Sequence, residues 1–315
     1  MNLENILKSK RPNLKQTTLQ TYAISLKLLH RHIVGDDNVE SIDFAKDHAK
    51  VIDYISKYQA NTRKGYLNAL ITLLKCDVLG TSEACKIYIE HRDGYNKAYQ
   101  EKQSSGELNE KQKKNWVSWA QYRDMVGCIA KDVKTRRLRS KRDLDPEDMR
   151  LYGDLVLTSL YVELPLRNDF ADVKVISTKA FNKLGEEEQR AHNYLTTKTN
   201  EMTLVLNNYK TDAKYGTKKF VLSAPLRRLI VGWLKHNTTG ELLYNIGANG
   251  ITKTLNRITK TRLGKTIGSS MLRHIYLSSK YAALEAEKDK DAEKMLHSKS
   301  TAQEIYIKKP PQQGS

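Results

Sequence analysis

Apolar residues in the first hundred positions recur at the three-to-four-residue period of helices that bury one face. Leu19, Tyr22, Leu26, Leu29 and Ile33 form one stripe, with Thr18 placed to cap its helix and Gly35-Asp-Asp-Asn to break it. Val51, Tyr54 and Ile55 share a face in a second run that reaches Tyr58. A third opens at Asn61 and carries Tyr66, Leu67, Leu70, Ile71 and Leu74. Such stripes are packing surfaces, so the spacing predicts a small helical bundle over residues 1–97.

Residues 98–115 are polar and nearly free of large apolar side chains, the composition of a linker. Trp116 and Trp119 then restart a helical pattern, which predicts a second domain over residues 116–309 and a short tail at 310–315. Residues 154–162 read as an apolar helix stopped by Pro165. Between 193 and 222 the period changes. Residues 202–206 and 220–222 are rich in strand formers and flank a basic, glycine-containing turn, which predicts a β-hairpin. Helical patterns return at 225–236, 269–284 and 291–297, and Thr301 with Glu304 has the spacing of a capping box before Tyr306. The expected fold is mainly α with a small β-hairpin or sheet, an α+β class.

Charge then narrows the partners. The chain has 315 residues, enough for about two domains of ~100–200 residues with sizeable cores. Its 54 Lys and Arg against 36 Asp and Glu leave a net charge of +18 and a pI near 9.6. Such an excess, spread along the chain, points to nucleic acid. It is densest over residues 131–142, where Lys134, Arg136, Arg137 and Arg139 are candidate phosphate contacts. A basic run of this kind also suits a solvated loop. In the helical bundle the candidate DNA-facing cations are Lys15, Arg31, Arg63 and Lys64.

Cys76, Cys85 and Cys128 form no close pair and no metal spacing, so thiols without a disulfide framework are expected, in a reducing, intracellular setting. No stretch approaches the ~18 apolar residues of a membrane span, so no membrane partner is expected. No period of 20–50 residues repeats, which argues against a solenoid. There is no Walker motif and no carboxylate or Cys/His cluster, so no metal and no other cofactor is expected.

Five residues carry chemistry as a set. Arg167 follows Leu-Pro-Leu, and Arg273 lies in an amphipathic stretch with Met271, Leu272 and Ile275. The arginine fork donates two hydrogen bonds to a phosphate and keeps its charge. Lys210 sits on or beside the hairpin turn, His297 lies 24 residues after Arg273, and Tyr306 nine residues later. A phenol titrates near ~10, so tyrosine is a useful nucleophile only where cations hold the attacked phosphate and the nascent phenolate. Taken singly, each has a plainer account: an ion pair, a solvated lysine, a packed histidine, one tyrosine among 17.

Their order and spacing resemble the catalytic domain of tyrosine recombinases, the phage-integrase family. The motifs are Leu-Pro-Leu-Arg167, Ser270-Met-Leu-Arg273-His274, Leu296-His297-Ser298 and Tyr306-Ile-Lys308. The resemblance covers roughly residues 112–309. It extends more weakly to residues 16–22, which look like the opening of the family's core-DNA-binding domain, and the general look is closest to integrases of viruses and mobile elements.

The resemblance implies that Tyr306 attacks the scissile phosphate, forming a 3′-phosphotyrosyl link and releasing a 5′-hydroxyl. Arg167 and Arg273 then clamp the non-bridging oxygens, His297 donates to the same phosphate, and Lys210 protonates the departing oxygen. Lys214 is the alternative acid, because the hairpin turn is longer than the family's. One phosphodiester is exchanged for another, so neither ATP nor a metal is implied.

Ser270 stands where the family usually has His or Lys, which leaves the acceptor of the tyrosyl proton unassigned, and neighbouring His274 matches a supporting histidine. Asp169 and Asp172 both compete for the acidic supporting position. The implied partner is double-stranded DNA clamped between the domains, bound by a monomer that assembles as a homotetramer on paired sites. A type IB topoisomerase uses a similar set with a longer insertion between the second Arg and the His. A catalytically weakened DNA-binding relative is the non-enzyme alternative. The nine residues after Tyr306 look too short for an exchanged helix, and no separate arm-binding domain is expected before the bundle.

Overall fold

Two large apolar clusters divide the chain into compact units, Met1–Glu107 and Leu108–Ser315. The structure, a computed structural model, describes residues 2–74, 82–104, 106–244 and 246–294. Among these the protein is mostly helical with one four-stranded sheet, an α+β arrangement.

In the first unit the helices are α1 (Leu3–Lys10), α2 (Gln16–Val34), α3 (His48–Ser56), α4 (Ala60–Leu74) and α5 (Glu83–Ser104). Their stripes meet in one core, where Leu19, Leu26 and Leu29 pack with Val51, Ile55, Leu67 and Leu70. α2 ends at Gly35, whose left-handed backbone (φ 85) lets its N–H reach the Arg31 carbonyl at 3.0 Å. Its start differs from the expected threonine cap. A turn closed by the Leu14 N–H on the Arg11 carbonyl delivers an extended Lys15, so the helix begins at Gln16 and Thr18 lies in its first turn.

Two further expectations change. The polar stretch 98–115 is helical at both ends, since α5 runs to Ser104 and α6 (Glu110–Asn115) starts with a reciprocal Asn109–Gln112 cap. Cys85, buried at the start of α5, is disulfide-bonded rather than a thiol. Spacing in the sequence does not show which sulfurs a fold brings together. Cys128 is exposed and free, and Cys76 lies outside the described residues.

The second unit opens with α7 (Trp119–Thr135), capped by Ser118 and Gln121, and α8 (Pro146–Glu163), capped by Asp145 with Pro146 at its first position. Strands β1 (Lys174–Ser177), β2 (Tyr194–Lys198), β3 (Glu201–Leu206) and β4 (Lys218–Val221) lie in that order, β1 and β2 parallel and the others antiparallel. The predicted hairpin is β3–β4, with Leu204 opposite Phe220. The short helices α9 (Thr178–Phe181) and α10 (Glu186–Ala191) join β1 to β2, and a single turn, α11 (Asp212–Tyr215), sits inside the hairpin connection.

Three longer helices follow: α12 (Ala224–Trp233), α13 (Ala248–Leu263) and α14 (Ser269–Lys294). α13 was not anticipated, although Ile251, Leu255 and Ile258 are buried at helical spacing. α14 runs as one helix through the expected gap at 285–290, where the chain has neither Gly nor Pro to stop it. The core gathers Tyr122, Leu155, Leu160, Trp233, Ile258 and Leu272. Packing of α8 on α12 is close enough that a Cβ on Gly232 would run into the Tyr152 hydroxyl.

Candidate active site

The end of α8 sets the site's position. Pro165 has no N–H to continue the helix, and Leu164 closes it with a bond to the Leu160 carbonyl at 2.7 Å. The chain then turns back along its own last turn. Buried Tyr161 holds that return by donating its hydroxyl to the Arg167 carbonyl at 2.5 Å, while its ring packs edge-on against Phe170. Burial pushes the Tyr161 phenol well above its ordinary range, so it stays a donor.

One amide stitches this loop to two helices. Asn168 donates to the Ala248 carbonyl at 2.8 Å and the Thr252 hydroxyl at 2.9 Å, both in α13. Its carbonyl oxygen accepts from the Ser269 hydroxyl at 2.7 Å, at the start of α14. Arg273 lies one turn further along α14, at the i+4 position on the same side as buried Ser269. Arg167 and Arg273, distant in sequence, thereby come within electrostatic reach of the same carboxylate, Asp169.

Asp169 accepts the Arg167 backbone N–H at 3.2 Å. Burial raises its pKa above the usual carboxylate range, and the two arginines act against that shift. Neither guanidinium makes a hydrogen bond, or an ion pair within 4 Å, to any described residue. Two fixed cations act on one carboxylate from a distance without being neutralised by contact. This arrangement suits an incoming phosphate.

The hairpin connection is tied to the same loop. The Asn193 carbonyl oxygen accepts the N–H groups of Asn207 and Asn208, each at 2.9 Å, and its amide donates to the Asn208 carbonyl at 2.9 Å and weakly to that of Asp169. Tyr209 follows, packed on the core, with its hydroxyl donating to the Gly216 carbonyl. Burial raises the Tyr209 phenol, with Asp212 and Asp169 adding to the shift. Lys210 is exposed immediately after it, on the part of the connection anchored to the arginine loop. Lys214 is exposed in α11, its amine 5.2 Å from the Tyr215 ring.

The remaining candidates fall differently. Ser270 and His274 are exposed on α14, and it is the preceding Ser269 that contacts the loop. Asp169 is the acid beside both arginines, while Asp172 is exposed at a left-handed position (φ 53). His297 and Tyr306, with the Thr301–Glu304 pair, lie outside the described residues. Tyr161, Asn168, Asn193 and Ser269 were not singled out in the sequence. Asn168 is flanked by Arg167 and Asp169, but no periodicity marks it.

Among the candidate DNA contacts, several cations have protein partners. Arg31 pairs with Asp37 on the surface. Arg63 donates to the Tyr58 carbonyl at 2.6 Å, to the Ser56 carbonyl and to the Tyr95 hydroxyl, so it serves its own unit. The Lys64 amine lies 5.9 Å from the Tyr99 ring, and Lys15 is exposed at the head of α2. In the basic run, Arg136 bonds Glu147 and Asp148, and Lys141 joins it on Asp148. Lys141 chiefly, then Arg136, holds that carboxyl below the ordinary range. Lys134, Arg137 (φ 53) and Arg139 are exposed. The run is therefore divided between closing the α7–α8 turn and facing solvent.

Comparison with protein-family models, with curated proteins and with solved structures finds no match to this chain.

Proposed function

We propose that this protein is a site-specific DNA recombinase of the tyrosine type, an integrase acting on viral or other mobile DNA. The observation that carries the reading is that Arg167 and Arg273 both act electrostatically on Asp169, each guanidinium without a hydrogen-bond partner among the described residues. A net charge of +18 supports duplex DNA as the substrate. In this reading the two arginines hold the non-bridging oxygens of the scissile phosphate and offset the charge that develops on them. Tyr306 gives up its phenolic proton to solvent and attacks phosphorus, the 5′-oxygen leaves with a proton from Lys210, and a 3′-phosphotyrosyl bond replaces the phosphodiester. His297 donates to the same phosphate. The second exchange reverses these steps with a different 5′-hydroxyl, and four subunits on paired sites supply the four cleavages.

A suicide DNA substrate that loses its 5′-hydroxyl fragment after cleavage tests the reading. Covalent protein–DNA adduct is expected from the wild-type chain and none from Tyr306→Phe. An adduct that persists in Tyr306→Phe, or no adduct on DNA from any integration junction, overturns it. Relaxation of supercoils without strand exchange assigns the chemistry to the topoisomerase class instead.

A further inference from the structure

A cleft bounded by α8, the segment following α12, and α13 has no role in the strand chemistry above. It encloses about 790 Å³, within the ~300–1,000 Å³ typical of small-molecule sites. Buried Trp233 and Leu243 contribute apolar walls, and exposed Arg142, Arg150 and Lys235 line the same cavity. None of these three cations makes an ion pair within 4 Å among the described residues. The lining carboxylates are fewer, and one of them, Asp154, is already engaged by Arg257 at 2.5 Å.

A second observation falls on the same wall. His236 also lines the cavity, and its Nε2 is the one buried side-chain nitrogen or oxygen without a hydrogen-bond partner among the described residues. Buried polar atoms are nearly always paired, and this one, shut off from solvent, leaves the ring beside the cavity without a fixed partner.

We infer that this cavity binds a small organic phosphate: a phosphomonoester on a ring-bearing body, about the size of a nucleoside monophosphate. The unpaired arginines suit a dianionic head, because their forks meet phosphate oxygens two at a time. The apolar walls suit a ring. They are poorly suited to a duplex backbone, which proteins hold through polar and cationic contacts to phosphate and sugar.

The test titrates adenosine 5′-monophosphate into the full chain by calorimetry at fixed ionic strength, beside inorganic phosphate and adenosine alone. Saturable one-to-one binding of the nucleotide is expected, about tenfold or more tighter than either fragment. The double variant Arg150→Met/Lys235→Met should weaken it by about tenfold or more, with the chain still folded, although the loss of Arg150 also removes a charge that acts on Asp154. Lys179→Met/Lys183→Met, which removes two exposed cations elsewhere on the unit, should leave it unaltered. If the first variant does not fold, Thr254→Phe blocks the cavity without removing charge and should abolish binding. No binding below ~1 mM, affinity no better than inorganic phosphate, or equal loss in the lysine control overturns the site. Displacement of the nucleotide by duplex DNA also overturns it, and assigns these cations to a DNA-facing surface.

Discussion

Asp154 and Asp169 are both carboxylates drawn out of water among arginines, and the second unit uses them in opposite ways. Burial raises the pKa of each. Asp154 closes on Arg257 at 2.5 Å and ties α8 to α13. Asp169 accepts a backbone N–H and stands near Arg167 and Arg273 without taking either into an ion pair. The same residue types thus make a strut in one place and, in the proposed reading, an open anion subsite in the other. What separates them is whether the guanidinium hydrogens are already used.

The largest effect expected from this contrast is on chemistry. Arg273→Ala should slow adduct formation by about 10²–10³, by analogy with loss of one oxyanion donor, while leaving thermal unfolding nearly unchanged. Arg257→Met should do the reverse, keeping cleavage and costing about 1–3 kcal/mol, since it strands a buried carboxylate whose partner is partly exposed. Denaturant unfolding beside suicide-substrate kinetics reads both. If Arg273→Ala unfolds the protein and Arg257→Met abolishes cleavage, the strut and the subsite have been exchanged.

Asn168→Ala separates the stitching from the charges. Loss of three hydrogen bonds, two of them to hydroxyls of α13 and α14, should cost about 1–3 kcal/mol. Cleavage should fall as well, since α14 carries Arg273. Tyr161→Phe removes one donor to the Arg167 carbonyl, and about 1 kcal/mol of stability is expected to go with it. A cleavage loss in Tyr161→Phe as large as that in Arg273→Ala would mean that the loop's position matters more than its cations.

The smallest expected effect is a slope with pH. Both aspartates have folded pKa values above the unfolded value of about 3.9, so the native state holds those protons more tightly. Their contribution therefore falls as pH rises from the unfolded value through the raised one, and the penalty is complete above it. Asp148 runs the other way, stabilising above the unfolded value and losing that as pH falls through its depressed one. Asp169→Asn should gain stability relative to wild type as pH rises from about 4 to 7, by urea unfolding. Parallel curves would show that the Asp169 carboxyl is not desolvated.

Much of the fold was legible because its signal is local. The stripes in α2, α3 and α4 and the runs of strand formers in β3 and β4 depend only on neighbours along the chain, so local pattern found them. Helix ends were less legible. The turn before Lys15 overrode a threonine cap, and α14 continued where no residue stops a helix. Of the proposed site, Arg167, Arg273 and the hairpin lysine were singled out by their order. Asn168, Asn193 and Ser269 were not, because a polar residue that bridges distant segments leaves no period in the sequence.

By itself the sequence determined the basic balance, the apolar stripes and the ordered set from Arg167 to Tyr306, all of which follow from residue types and spacing. Only the tertiary structure decided which charges remain available. It closed Arg257 on Asp154, drew Arg136 and Lys141 onto Asp148, and held Arg167 and Arg273 beside Asp169 with their donors unused. Every arginine carries the same charge in the sequence. Its capacity to bind depends on whether a carboxylate from a distant segment folds to within hydrogen-bonding distance of it.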